Sequence, residues 1–165
     1  MLTSDHGDSL GEGDRWGHQS FLFPEVVRIP LIISTPATDR ARMTTDLGRV
    51  ALLTDVTPTL MSLIGGRAVQ ADLPDGGTLF VPASQPLRSR RRQSFMVMSS
   101  YGPVFGLVRR GRDMYLTDLR DWQEYAFALG MVGYRQIPLT DAMRRVSQAE
   151  ILKQAEAVKG VYGRQ

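Results

Sequence analysis

Phe21-Leu22-Phe23-Pro24-Glu25-Val26-Val27-Arg28-Ile29-Pro30-Leu31-Ile32-Ile33-Ser34 sets a short helical turn directly against a dense apolar run. Pro24 suits the first turn of a helix, where a missing amide hydrogen costs nothing. Ile29 to Ser34 is too short for a helix, and its unbroken run of branched side chains predicts a strand buried on both faces. Pro30 fits at the start of that strand. A buried strand fed by a helical turn places the first part of the chain in the α/β class.

Upstream lies a polar stretch, Thr3-Ser4-Asp5-His6-Gly7-Asp8-Ser9-Leu10-Gly11-Glu12, followed by Trp16-Gly17-His18. Met1 to Ser4 read as the end of a strand. Gly7, Gly11, Gly13 and Gly17 make Asp5 to Ser20 a loop. The chain has two histidines, and both fall here. Asp5 offers an anionic oxygen and His6 a neutral nitrogen, a pair suited to zinc or manganese. Gly7 lets the chain turn so that both point inward. Zinc takes about four ligands and manganese about six, so two residues do not complete a site. Asp8, Glu12, Asp14 and His18 are the local candidates, Asp8 and Glu12 equally suited to hydrogen bonding within the loop. His18 is a candidate catalytic and substrate-binding group, because an imidazole near an ion can hold an oxyanion or protonate a leaving group.

Downstream, residues 36–47 are a polar connection and Val50 to Leu53 a short strand candidate. Thr54 to Gly65 reads as a capped helix: Thr54 or Asp55 caps it, Pro58 lies in the first turn and Gly65 stops it. Val56, Leu60 and Leu63 would form its core face. Residues 94–99, 104–109 and 113–118 predict three strands of an antiparallel meander, separated by Gly102-Pro103 and Arg110-Gly111. Asp121 to Glu124 has capping-box spacing and predicts a short helix ending at Gly130. A last helix is predicted from Thr140 or Ser147 to about Tyr162, with Ile151, Ala155, Val158 and Tyr162 as its apolar stripe. The domain division is therefore 1–66 as an α/β part, 67–93 as a linker rich in Gly, Pro and Arg, and 94–165 as a small antiparallel sheet with helices.

Composition narrows the function classes. The 165 residues carry a formal charge of +3, are 42% hydrophobic and contain no cysteine. Disulfides, thiolate metal sites and a cysteine nucleophile are excluded within this chain. Arg88, Arg90, Arg91 and Arg92 form a basic run that can attract an anion or an acidic partner. The charge is modest and no aromatic-basic motif accompanies it, so nucleic-acid binding is not expected. The longest apolar run is far too short to span a bilayer.

The stretch from Thr3 to His18 resembles the late metal motif of the sulfatase family within the alkaline phosphatase superfamily. Pro24 to Ile33 is similar to the helical turn and apolar strand that follow that motif, Thr54 to Gly65 to the family's later helix, and Tyr115-Leu116-Thr117-Asp118-Leu119 to its C-terminal segment. The resemblance covers residues 1–65 well and 94–120 loosely. It implies a partial alkaline-phosphatase-like α/β/α sandwich, followed by a small antiparallel sheet and a C-terminal helix. It also implies hydrolysis or transfer of sulfate, phosphate or phosphonate esters. Asp5 and His6 would be metal ligands, and His18 would contact the transferred group or protonate the leaving oxygen. Histidine at position 6 favours zinc or manganese over calcium or magnesium, since nitrogen is a poor ligand for the harder ions. Periplasmic or membrane-associated parents are suggested by the resemblance alone. The family's nucleophile lies far N-terminal of this motif. Here the nearest match to its pattern, Ser34-Thr35-Pro36-Ala37-Thr38-Asp39-Arg40, is misspaced and misplaced. The expectation is a chain inactive alone, partnered by a missing N-terminal half. The alternative is a non-catalytic module that binds an anion or a partner through Arg88 to Arg92.

Overall fold

The computed structural model describes residues 1–18, 21–47, 50–65, 76–84 and 94–162. Its strands are β1 (Leu2–Thr3), β2 (Ser9–Leu10), β3 (Trp16–Gly17), β4 (Leu31–Ile32), β5 (Met43–Thr44), β6 (Val81–Pro82), β7 (Ser94–Met98), β8 (Val104–Arg109), β9 (Asp113–Asp118), β10 (Gln123–Leu129) and β11 (Tyr134–Ile137). Its helices are α1 (Pro24–Val27), α2 (Ala37–Arg40), α3 (Val56–Leu63) and α4 (Asp141–Tyr162). The chain folds as two compact units that do not follow chain order. One contains Met1–Leu2 and Leu31–Arg91, the other Thr3–Pro30 and Arg92–Gln165. The expected division at 67–93 follows the order of the sequence, whereas in the structure the loop carrying both histidines packs with the C-terminal sheet.

The second unit is built on a five-stranded antiparallel meander, ordered β11-β10-β9-β8-β7. Alternation along each strand divides its side chains between two faces. One face carries Phe95, Val97, Val104, Val108, Met114, Leu116, Tyr125, Phe127 and Leu129, and the segment Phe21 to Val27 packs on it. The other carries Met96, Phe105, Leu107 and Tyr115, covered by Leu139, Met143 and Ile151. Phe23 binds the first face edge-on, with its ring centroid 5.1 Å from Tyr125 and 5.9 Å from Phe127. Thr140 caps α4, its hydroxyl accepting the Met143 amide at 3.2 Å. Tyr115, Glu124, Arg144 and Gln148 tie α4 to the sheet through polar contacts, among them Arg144 Nε to Glu124 at 2.7 Å.

The three strands expected between 94 and 118 are present in the register of a meander, and α4 matches the predicted last helix. Val158 and Tyr162 of its predicted stripe lie outside the described side chains. Residues 123–129 are a strand, not the expected helix. Trp122 takes a left-handed conformation, with φ 55°. That turns the chain back so that Tyr125 and Phe127 alternate with alanines across from β9. Ladder pairing on both sides outweighs the weak local preference for helix.

In the other unit, Leu31–Ile32 pairs with β1, and β5 pairs with β6. Ile32 is 61% exposed, so this strand is not buried on both faces as expected. Residues 50–52 form no strand. The Thr54–Gly65 helix is present as a 3₁₀ turn over Leu53–Asp55 followed by α3, but its buried face is Asp55, Pro58 and Thr59. The polar residues win because segment 77–79 binds them: Asp55 accepts the Gly77 amide at 2.8 Å and Thr59 Oγ1 the Leu79 amide at 3.0 Å. Leu60, predicted for the core, is 41% exposed. The basic run Arg88 to Arg92 lies outside the described residues. No described helix is long and apolar enough to cross a membrane.

Ser147 is fully buried in α4, and its hydroxyl has no hydrogen-bond partner among the described residues. Removing an unpaired buried hydroxyl relieves a desolvation cost of about 1–3 kcal/mol. Ser147→Ala is therefore expected to raise the denaturation midpoint, whereas Phe127→Ala should lower stability by about 3–5 kcal/mol. Urea titrations of the two variants check both signs.

Candidate functional site

Three short pieces of the second unit build the site: the loop Asp5–Asp8, the hairpin β2–β3 and helix α1. The hairpin pairs Ser9 with Gly17 and Leu10 with Trp16. Asp8 and His18 flank that ladder, so its register brings them together. His18 Nδ1 lies 2.7 Å from Asp8 Oδ1. Gly17, with φ 80°, supplies the left-handed turn that releases His18 from the strand. Gly7 is needed for another reason. Its amide donates to Val26 O at 2.8 Å, and a Cβ there would lie 2.1 Å from Glu25 O. Only glycine lets the loop approach α1 this closely.

The two imidazoles meet at the open side of the loop, ring centroids 3.9 Å apart and tilted by 32°. His6 Nδ1 faces Gly7 O at 3.0 Å. Because a carbonyl and a carboxylate only accept, Nδ1 carries the proton in both rings. That leaves Nε2 of each ring with its lone pair available when neutral. Ligand atoms of His6, Asp8 and His18 lie within 4.8 Å of one another, and this is the group of potential metal ligands among the described residues.

Asp5 also contacts His6. Its Oδ1 accepts the His6 amide at 3.0 Å, and its Oδ2 is 3.7 Å from His6 Nε2. Ligands at about 2.0–2.2 Å from a shared ion sit roughly 3–4 Å apart, so Asp5 and His6 fit one divalent ion in donor type and spacing. Hydrogen bonds from the backbone amides of Asp5 and His6, and then the nearby His6, hold the Asp5 carboxyl below its ordinary value of 3.8. It is therefore an anion at neutral pH. Asp5, His6 and His18 lie in one stretch of chain, and Asp8, not Asp5, is grouped with the two imidazoles. Glu12 instead accepts the Leu10 amide within the turn.

Behind this loop sits a group that sequence reading did not single out. The Glu25 carboxylate is 8% exposed. Its Oε1 accepts Ser9 Oγ at 2.8 Å and Arg15 Nη2 at 3.0 Å, and its Oε2 accepts Tyr134 OH at 2.6 Å. The Arg15 guanidinium lies 3.7 Å over the Phe23 ring. Burial pushes the Glu25 carboxyl up, but the hydrogen bonds from Tyr134, Arg15 and Ser9 outweigh it and hold it below 4.5. Burial and then the bond to Glu25 push Tyr134 up to about 12.

These shifts set a pH window. The folded Glu25 pKa is depressed, so its contribution is present above 4.5 and lost as pH falls below that value. The folded Tyr134 pKa is raised, so its contribution is present below 10 and lost as pH rises toward about 12. Thermal midpoints measured across pH should fall on both sides, and Tyr134→Phe should flatten the alkaline limb.

Comparison with known proteins adds a family direction. The chain is 36% identical over 69 residues to the low-salt glycan biosynthesis sulfotransferase Agl7 of Haloferax volcanii, a match covering 39% of this chain and 16% of that protein. It is 33% identical over 63 residues to the uncharacterized sulfatase YidJ of Escherichia coli strain K12, covering 38% of this chain and 12% of that one. The matched stretches thus span less than a fifth of these relatives. No family model matches, and no solved structure matches. The chain is related to sulfatase-like proteins through about two fifths of its length.

Proposed function

We propose that this chain is part of a metal-dependent enzyme of the sulfatase type, which hydrolyses or transfers sulfate, phosphate or phosphonate esters. The observation that carries this reading is the pairing of Asp5 with His6, whose ring lies against that of His18, the Nδ1 atoms of both rings being already bonded. That arrangement leaves both Nε2 atoms as acceptors when the rings are neutral. The partial likeness to a sulfotransferase and a sulfatase supports this reaction class. Within this reading the α/β part belongs to an alkaline-phosphatase-like sandwich.

Asp5 Oδ2 and His6 Nε2 would hold a divalent ion, zinc or manganese, since the nitrogen donor disfavours calcium and magnesium. Such an ion supplies Lewis-acid stabilisation of the non-bridging ester oxygens and eases ionisation of the attacking hydroxyl. The Gly7 carbonyl fixes the His6 tautomer, which presents Nε2 as the ligand atom. Asp8 orients His18 through its Nδ1. Protonated His18 then has Nε2–H free to donate to the leaving-group oxygen, and in donating it returns to the neutral ring. The nucleophile is assigned to a part of the protein outside these residues, as the narrow coverage of the relatives permits.

Calorimetric titration with manganese and with zinc tests the reading. The chain should bind one ion, and His6→Ala or Asp5→Asn should weaken it by tenfold or more. His18→Ala should change metal affinity much less. Unchanged affinity in both His6→Ala and Asp5→Asn would remove the metal assignment. The chain alone should not turn over aryl sulfate or aryl phosphate, and enzymatic rates abolished by His6→Ala would contradict the placement of the nucleophile.

A further inference from the structure

We propose that Glu25 is the positioning residue of the site: its carboxylate seats the histidine-bearing hairpin on the sheet and so sets the distance between Asp5, His6 and His18. This rests on the reading of Asp5 and His6 as metal ligands. Glu25 touches none of the three and acts through the backbone that carries them.

The hairpin β2–β3 cannot hold itself. It pairs two residues with two, and an isolated two-stranded ribbon is marginal even when longer. Its side chains give little help, since Leu10 and Trp16 are 71% and 72% exposed. The imidazoles are also partly open to solvent, so packing does not lock them. Their placement must come from behind.

Glu25 meets that need with two oxygens. Oε1 reaches both limbs of the hairpin, through Ser9 on β2 and Arg15 next to β3. Oε2 reaches Tyr134 on β11, an edge strand of the five-stranded sheet. The same helix binds the ligand segment itself, through the Gly7 amide to Val26 O. One buried anion therefore connects the sheet, the hairpin and the approach to His6. Charge-assisted bonds to a carboxylate are about twice as strong as neutral ones. A neutral amide of the same size loses the charge that strengthens these bonds, and it keeps both sets of partners only if the Tyr134 hydroxyl turns to accept instead of donate. Outer partners of metal ligands commonly set affinity by about 10–100-fold without touching the ion.

The test uses Glu25→Gln, Tyr134→Phe, and Leu107→Ala as a control on the opposite face of the sheet. Three quantities are read in each: manganese affinity, the visible spectrum of the cobalt-loaded protein, and hydrogen exchange of the Gly7 amide without metal. Glu25→Gln should weaken manganese binding about tenfold or more, alter the cobalt spectrum and speed Gly7 exchange, with Tyr134→Phe following at smaller amplitude. Leu107→Ala should lower the thermal midpoint yet keep affinity within about twofold. If Glu25→Gln keeps wild-type affinity, spectrum and Gly7 protection, or if Leu107→Ala reproduces its changes, the proposal is overturned. Should the wild type bind no manganese or cobalt, the metal reading fails separately. Gly7 exchange then decides whether Glu25 holds the loop: faster exchange in Glu25→Gln but not in Leu107→Ala upholds it, and unchanged exchange overturns it.

Discussion

The Glu25 carboxylate joins the part of this protein that has a core to the loop that carries both histidines. The sheet and α4 form a well-packed body with apolar side chains on both faces. The loop with both histidines has almost no buried side chains of its own beyond Ser9. Between them stand Ser9, Arg15 and Tyr134, all converging on Glu25. An anion taken out of water is costly unless it is paired and hydrogen-bonded. Here it has a guanidinium and two hydroxyls, and that compensation also fixes where the loop can sit.

The aromatic face of the sheet makes this anchoring possible. Phe21 to Phe23 lie over Tyr125 and Phe127, which brings α1 onto the sheet and Glu25 within reach of β11. Arg15 stacks on Phe23 while it bonds Glu25, so apolar packing and charge are satisfied by the same side chains. Arg28 adds a second tie, its guanidinium donating to Gly130 O and Gly133 O at 2.7 Å in the β10–β11 turn. The two ends of α1 are thus bound to the same edge hairpin. The histidine-bearing loop is carried on a rigid scaffold, the arrangement in which exposed side chains keep a defined geometry.

Much of this was legible from residue types and spacing. The strands between 94 and 118 follow from alternation and turn residues, and α4 from its apolar stripe and Thr140. Asp5, His6 and His18 stood out because the chain's two histidines share one glycine-rich loop. Other features depend on contacts that local pattern does not carry. The capping-box spacing from Asp121 to Glu124 points to a helix, but the left-handed turn at Trp122 and two neighbouring strands make β10. The face of α3 looked apolar, yet the covering segment binds Asp55 and Thr59. Glu25 does not stand out in the sequence, because a glutamate in a one-turn helix ordinarily faces solvent. Its partners lie at positions 9, 15 and 134, and nothing in the local sequence brings them together.

The most direct test of the central claim is anomalous diffraction from crystals grown with manganese or zinc. The account predicts one strong peak bounded by Asp5 Oδ2 and His6 Nε2, with His18 Nε2 facing the same space and Glu25 holding Ser9, Arg15 and Tyr134 behind it. A peak elsewhere, or none at the Asp5–His6 pair under saturating metal, would contradict it.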